Sequence, residues 1–577
     1  MSDQLYINDT TEEFDVIVVG SGVTGGWAAK EFTEKGYKVL MIERGRIVEH
    51  RKDYPTEAKP PWAFETRTKV NNLLEQEQYK IQSTCYAFND ATKHFFGNDR
   101  DLPYSTEGDT DFWWIRGNQL GGKSLTWHRQ SFRMSEFDFT ANAKDGHGND
   151  WPIRYKDLAD WYSYVERYIG VSGAKDGLEQ LPDMETQKPF EMTKVEADAQ
   201  RKLAEAFPDR PMIIGRAAHL TEPTELQVSQ GRVVCQARDE CQKGCSFGAY
   251  FSTQSSTLPA AAKTGNLQIA PNSVVHSLIY DEARNRVRGV SVIDADTLST
   301  REYYGKTVFL CASTLGSTQI LLNSTSKRFP NGLANSSGVL GHYLMDHCYN
   351  ARASGMIEGY EDEYYSGRRP TGVYIPNFQY TPEKYKKHYV RGYALGGSAG
   401  RGNWQGGAYQ DGIGADYKNQ LTKPGPWHFG FYAQGETLPR FENQVSLHPT
   451  KKDKWGIPQL HFNASWSENE YAMMEDCAYE CERMLKAMGA VNITSAVSTK
   501  EKPLGSAIHE LGTARMGKDP KESILNAYNQ SHDIPNLFVT DGASYCSSAT
   551  VNPSLTFMAL TARAVDYCVK EMKNKRI

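Results

Sequence analysis

The chain has 577 residues, too long for one simple core and of a size at which enzymes interleave two domains. With 39% hydrophobic and 23% charged residues its composition is globular, and a net charge of −5 offers no basic field for nucleic acid. No apolar run approaches the ~20 residues that a membrane helix needs, and Met1–Phe14 lacks the basic-then-apolar order of a signal peptide.

In chain order, residues 14–20 (FDVIVVG) form a short apolar run ending in glycine, the pattern of a buried parallel strand. A glycine-rich turn follows, then WAAKEFTEKG with helical apolar spacing and a stop at Gly36, then YKVLMIERG as a second buried strand. That order is a βαβ unit. Residues 45–110 are polar and weakly periodic, and read as excursions over the surface or the substrate side. Residues 155–170 and 190–207 read as helices, and residues 274–310 as a β-meander leading into the buried strand KTVFLCAS. A helix is expected over 314–323, sheet and loops over 350–440, an amphipathic helix over 467–489, a strand over 534–541 and a last helix over 553–573. No internal repeat is visible.

Gly20, Gly22, Gly25 and Gly26 match G-x-G-x-x-G between a predicted strand and a predicted helix. Such glycines allow a tight turn and close approach of a pyrophosphate, which then faces the helix N-terminus and its free N–H groups. Glu43 ends the second strand about 20 residues on, where an acidic group accepts ribose hydroxyl hydrogen bonds. A carboxylate there repels a 2′-phosphate and argues against NADP. The unit alone leaves FAD and NAD open.

The chain resembles the glucose–methanol–choline (GMC) oxidoreductases along nearly its whole length. The segments that carry the resemblance are FDVIVVGSGVTGG, RGNQLGGKSLTWHRQSFRM, VFLCASTLGSTQILLNS, GHYLMDH at 341–347, NQVSLHPTKKDKWGIPQLHF, and the C-terminal HELGTARMGKDP with NLFVTDGASYCSSATVNPSLTFMALTARAVDYC. The last block is most similar to glucoside 3-dehydrogenases among bacterial sugar dehydrogenases. The resemblance implies an α/β fold in which a Rossmann-like FAD-binding domain is interleaved with a substrate domain built on an antiparallel sheet. On this reading residues 1–130, 211–345 and 501–577 form the FAD domain, and 131–210 and 346–500 the substrate domain.

Flavin-dependent alcohol oxidation needs a base for the hydroxyl proton and a position for hydride transfer to flavin N5. The resemblance assigns His509 as that base and Asn552 as the partner that positions the hydroxyl. The bland alternatives are a structural histidine, and an asparagine that caps the last helix. The resemblance also places FAD against Arg44, Gly121, Gly122, Ser124, Thr126, Val275, Asp541 and Pro553, beside the turn glycines and Glu43. It puts Thr126, not His128, where some members attach FAD covalently, so the FAD is expected to be non-covalent.

Cys235, Cys241 and Cys245 are spaced C-x5-C-x3-C, and grouped soft thiolates suit iron–sulfur or zinc binding. A disulfide plus a free thiol, or three buried thiols, remain open on the residues. The segment is similar to that of sugar dehydrogenases carrying a 3Fe-4S cluster on three cysteines, and a cluster could pass flavin electrons singly to a partner. The resulting expectation is a dehydrogenase that oxidises a secondary hydroxyl of a sugar or glycoside, at C3 of a glucoside, with a small subunit and a cytochrome acceptor as partners. The alternative is a glucose, gluconate or polyol dehydrogenase, or a pyranose oxidase. Its location is expected to be the cytoplasm, or the periplasm by co-export with a signal-bearing partner. Cys477 and Cys481, at i and i+4 on a predicted helix, read as core residues.

Overall fold

The computed structural model describes residues 5–66, 68–108, 110–363, 370–380, 388–401 and 412–577. Its first sheet grows from the N-terminal apolar run: β1 (Glu13–Val19), β2 (Val39–Ile42), β3 (Leu267–Ala270), β4 (Ser273–Asp281), β5 (Arg286–Asp294) and β6 (Thr300–Leu310), joined by Leu537–Val539. In space the order is β3-β2-β1-β6-β5-β4. β3, β2, β1 and β6 run parallel. One edge of β6 is shared: its first half pairs with β5 antiparallel, and Val308–Leu310 pair with Leu537–Val539 in parallel. Where the parallel strands run side by side they are apolar and buried, as in Val16–Val19, Val39–Ile42 and Val308–Leu310. On one side α1 (Val23–Glu34), which links β1 to β2, packs through Ala28, Ala29 and Phe32 with Ala564, Val565 and Cys568 of the C-terminal helix.

The second sheet has six strands and is antiparallel throughout. Val491–Val497 pairs with β7 (Ala351–Ile357), and the order continues through Trp427–Gly435, β8 (Tyr393–Arg401), Val373–Ile375 and Ile213–Ile214. The helix Glu468–Ala487 crosses it with Met473, Met474, Cys477, Cys481 and Met484 buried, so the i, i+4 cysteines are core residues and free thiols. The two sheets reproduce the expected α/β architecture, with a parallel nucleotide-type unit interleaved with an antiparallel one. The segment 45–110 contributes more than surface: Val48, Phe88, Phe95 and Phe96 form a small core with Ile115 and Leu125. A cavity of about 970 Å³ opens where the C-terminal ends of β1, β2 and β6 meet β8 and the strand Trp427–Gly435.

Candidate active site

At one end the cavity is floored by the glycine turn. Gly20 has φ +96°, and a Cβ there would strike the Cys311 carbonyl. Gly25 lies so close beneath that its Cβ would meet the Gly20 carbonyl, and Gly26 is pressed on Thr253. These two glycines pack the turn and do not line the cavity. Gly22 does line it, and nothing lies within 4 Å of its missing side chain. Gly22 is also the N-cap of α1, with no side chain bonded to the first turn, so those N–H groups remain available to an anion.

Glu43 follows β2 directly and faces the cavity. Its carboxyl accepts from the Gly45 amide at 2.9 Å and from the Ser21 hydroxyl, and burial holds it above the usual carboxylate range. Arg44 follows, half-buried, with its Nε enclosed and unpartnered and its guanidinium 5.3 Å from the Trp455 ring. A second glycine turn closes from above. A Cβ on Gly122 would sit 3.6 Å from the Gly22 Cα, so two backbones face each other across the cavity floor. Ser124 and Thr126 line the wall beyond it, together with His128. Gly121 does not line the cavity; with φ +90° it donates its amide to the Ser21 hydroxyl at 2.8 Å. Val275 of β4 and Asp541 complete this end, and Pro553 lines the cavity beside Asn552. The Asp541 carboxylate accepts from Ser317 Oγ at 2.5 Å and the Ala543 amide at 3.1 Å, and burial pushes it up to about 6.

At the other end stand His509 and Asn552, which sequence reasoning paired across more than forty residues. Both line the cavity and both meet Tyr349. The His509 ring lies edge-on to Tyr349 with centroids 5.7 Å apart, and Asn552 Nδ2 donates to the Tyr349 hydroxyl at 3.4 Å. Burial holds the Tyr349 phenol well above its usual value, so it stays protonated. The last helix, Ser554–Lys573, is capped at Pro553 without any side-chain bond, so Asn552 is not its cap.

His509 is held from two sides by residues the sequence reading left without a role. Its Nδ1 is 3.0 Å from Nδ1 of His347. The Asp346 carboxylate accepts from the amides of Ala507 at 2.9 Å and His509 at 3.0 Å. These two amides bracket Ile508, a β-branched residue at φ +65°. That conformation is strained for isoleucine and persists where surrounding contacts overdetermine it. Burial, helped by His347 and Lys123, lowers the His509 pKa well below the ordinary value, and burial lowers His347 to about 4. Burial, with Glu510 nearby, raises Asp346 to about 7. Asp346, His347 and His509 bring ligating atoms within 4.8 Å of one another. Both carboxylate oxygens accept backbone amides and the two Nδ1 atoms lie at hydrogen-bond distance, so these contacts join the three side chains and the loop in one polar cluster.

Residues 14–349 match the N-terminal GMC oxidoreductase family model, and residues 439–561 the C-terminal one. The chain belongs to the GMC oxidoreductase family. It is 28% identical to 2-methyl-1,2-propanediol dehydrogenase from Mycolicibacterium austroafricanum, over 97% of this chain and 95% of that protein. It is 27% identical to the fructose dehydrogenase large subunit from Gluconobacter japonicus, over 98% and 100%. Among solved structures it resembles a variant of formate oxidase from Aspergillus oryzae, with a TM-score of 0.59 at 15% identity over 98% of this chain and 100% of that one. As a GMC oxidoreductase this chain is a flavoprotein that uses FAD to oxidise a hydroxyl group.

The cavity fits FAD by its own features: the open face of Gly22, the uncapped N-terminus of α1, and the buried Arg44 Nε that lacks a protein partner. The turn glycines, Glu43 and Arg44 would hold the dinucleotide end, with the flavin toward His509 and Asn552. The wall around those two also carries Tyr86, Trp127 and Tyr432, aromatic residues from three distant segments. The three cysteines of the spaced cluster are half-buried free thiols, and Cys235 and Cys241 reach the cavity while Cys245 does not. Among the described residues their sulfurs do not all come within 4.8 Å of one another, so they do not hold a single tetrahedral ion.

Proposed function

We propose that this GMC oxidoreductase is a dehydrogenase that oxidises a secondary hydroxyl of a sugar or glycoside. The observation that carries the reading is the shared contact of His509 and Asn552 with Tyr349, inside the cavity that the glycine turn floors. His509 Nδ1 is taken by His347, which leaves Nε2 to accept the hydroxyl proton. Asn552 Nδ2 carries a second hydrogen beyond the one given to Tyr349, and that hydrogen can hold the substrate oxygen. Tyr86, Trp127 and Tyr432 offer flat faces to a sugar ring. When bound, FAD supplies the acceptor for the hydride that leaves the carbinol carbon.

The names of the two relatives, a diol dehydrogenase and a fructose dehydrogenase subunit, support a polyol or sugar substrate. Similarity of the C-terminal block to glucoside 3-dehydrogenases supports C3 of a glucoside as the oxidised position. A relative named as a large subunit supports a multi-subunit assembly, in which a small subunit and a cytochrome would take the electrons. A 3Fe-4S cluster on Cys235, Cys241 and Cys245 is part of the same reading. Ala237, Asp239, Gly244 and Gly248 all have positive φ, so the loop curls round on itself. Arg238 donates to Cys245 Sγ at 3.8 Å, and His219 Nε2 lies 3.7 Å from Cys241 Sγ. Burial holds the Cys235 and Cys241 thiols above their usual value, so ligation would have to draw off their protons, and a several-iron cluster tolerates wider sulfur spacing than one ion does.

The test is an anaerobic panel of free sugars, gluconate and glucosides, read by bleaching of the flavin absorbance, followed by product mass and NMR. A glucoside that bleaches the flavin and gives a 3-keto product is expected, together with three irons per FAD. His509→Ala should keep FAD and lower the bleaching rate about 100- to 10,000-fold, the usual worth of a general base. No bleaching by any sugar, or full rate in His509→Ala, would sink the reading. Rapid oxygen consumption with no iron present would favour a pyranose oxidase instead.

A further inference from the structure

We infer that Lys123 tunes the reduction potential of the flavin: its ammonium, anchored by Glu510 in the cavity wall, is a fixed positive charge that favours the reduced, anionic cofactor. The inference rests on the reading of this cavity as the FAD site with the flavin toward His509.

Lys123 stands in the second glycine turn, within the short 3-10 turn Gly122–Leu125, one residue after the glycine that faces Gly22 across the cavity floor. Glu510 stands on the other side, directly after His509 in the chain. The two are 387 residues apart in sequence, and both line the cavity. Lys123 Nζ lies 3.1 Å from Glu510 Oε2, the one ion pair that either residue makes among the described residues. Their exposures are unequal: 32% of the Lys123 side chain is open, against 5% for Glu510. The ammonium is thus the partner that a cofactor in the cavity would meet, and the carboxylate is the partner that holds it. Glu510 is itself fixed, because its carbonyl accepts from the Thr314 hydroxyl.

Packing alone does not account for this pair. Glu510 Oε1 is enclosed without a hydrogen-bond partner among the described residues, so half of the carboxylate has given up water with nothing in exchange. An enclosed ion pair is seldom more stable than an apolar pair of the same volume. The reaction, however, creates charges that match it. The carbinol carbon gives a proton with two electrons to the flavin as hydride, and the hydroxyl gives a proton to His509. One negative charge appears on the flavin and one positive charge on the base. The ammonium belongs to the glycine turn on the flavin side, and the carboxylate adjoins the base, so the dipole of the pair points the way that favours both. Fixed charges of this kind need no rearrangement when the new charges form.

The test is the midpoint potential of the holoenzyme flavin, measured without sugar against a reference dye, after FAD content and melting temperature. Lys123→Met keeps the length of the side chain and removes its charge. The equilibrium constant for flavin reduction is expected to fall about tenfold, which lowers a two-electron potential by about 30 mV. Glu510→Gln removes the counter-charge and keeps an acceptor for Lys123, so its potential is expected to rise. Lys123→Arg should stay nearer to the parent than to Lys123→Met. Potentials that do not move, or that move in the same direction in Lys123→Met and Glu510→Gln, would overturn the inference and make the pair a tie between turn and loop. If Lys123→Met does not hold FAD, Lys123→Gln replaces it; loss of FAD from both would overturn the inference by making Lys123 a cofactor-binding residue. Because no sugar enters this measurement, it stands apart from the base assignment, which full rate in His509→Ala would sink with the potentials unchanged.

Discussion

Gly22 and Gly25 stand three residues apart in one turn, yet methyl groups on them should act through different states of the protein. Gly22 has φ −65°, which alanine adopts freely, and nothing lies within 4 Å of the added carbon. Gly22→Ala should therefore leave the melting temperature of the FAD-free protein unchanged or slightly raised. Its methyl would stand where the backbone must approach the pyrophosphate. Losing one charge-assisted hydrogen bond there weakens FAD by about 1.5–3 kcal/mol, or roughly 10- to 100-fold. In Gly25→Ala the new carbon would run into the Gly20 carbonyl group, 2.8 Å from its carbon and closer to its oxygen. Strand and helix must then separate, and overpacking of this kind costs about 1–3 kcal/mol in the FAD-free protein itself. Apoprotein melts and an FAD titration followed by flavin fluorescence separate the two effects. If Gly22→Ala binds FAD within twofold of the parent, the turn is not a phosphate cradle and the orientation of the cofactor is wrong.

Because burial lowers the His509 pKa, the base stays unprotonated as pH falls. Flavin reduction should accordingly be level from about pH 8 to well below the ordinary histidine value of 6.5; an acid limb near 6.5 in stopped-flow rates would contradict the buried, neutral ring. Asp346→Ala leaves the Ala507 and His509 amides unpaired beside the strained Ile508. It should cost about 1–3 kcal/mol per amide and lower kcat more than KM with FAD retained; a kcat equal to the parent's would show that the carboxylate does not hold the loop. Glu166 and Arg133 form a buried bidentate pair, 2.6 and 2.7 Å, between the helix Tyr155–Ile169 and the segment after the second glycine turn. Glu166→Leu strands the guanidinium and should lower unfolding free energy by about 3–5 kcal/mol in urea, and an unchanged midpoint would show that Arg133 finds another partner.

The βαβ unit was legible because its apolar runs are continuous and its glycines have a geometric reason. His509 and Asn552 were legible through motif resemblance, although nothing local to either says that they share a cavity. Asp346 and His347 lay inside a quoted segment, GHYLMDH, and still had no readable role, because their partners are some 160 residues away. The available signal was an acidic residue and a histidine in a run that otherwise reads as buried, since such groups are seldom buried without partners. Tyr86 and Tyr432 carried less signal, as their place on the cavity wall comes from tertiary packing of weakly periodic chain. The excursion over 45–110 hid a small core for the same reason: Phe88, Phe95 and Phe96 are gathered by three short turns and not by one element.

The low basicity of the site's histidines constrains how the proton leaves. A ring held well below the ordinary histidine pKa cannot draw a proton from an unperturbed alcohol ahead of the reaction, because the resulting alkoxide would be far more basic than the imidazole. The transfer becomes favourable only as the C–H bond weakens and the oxygen turns toward a carbonyl. Coupled loss of proton and hydride is then the expected outcome, and solvent and substrate deuterium isotope effects on flavin reduction, measured singly and together, would test it. A weak base suits that timing twice: it does not trap a proton in the resting enzyme, and it returns the proton readily once the ketone has gone.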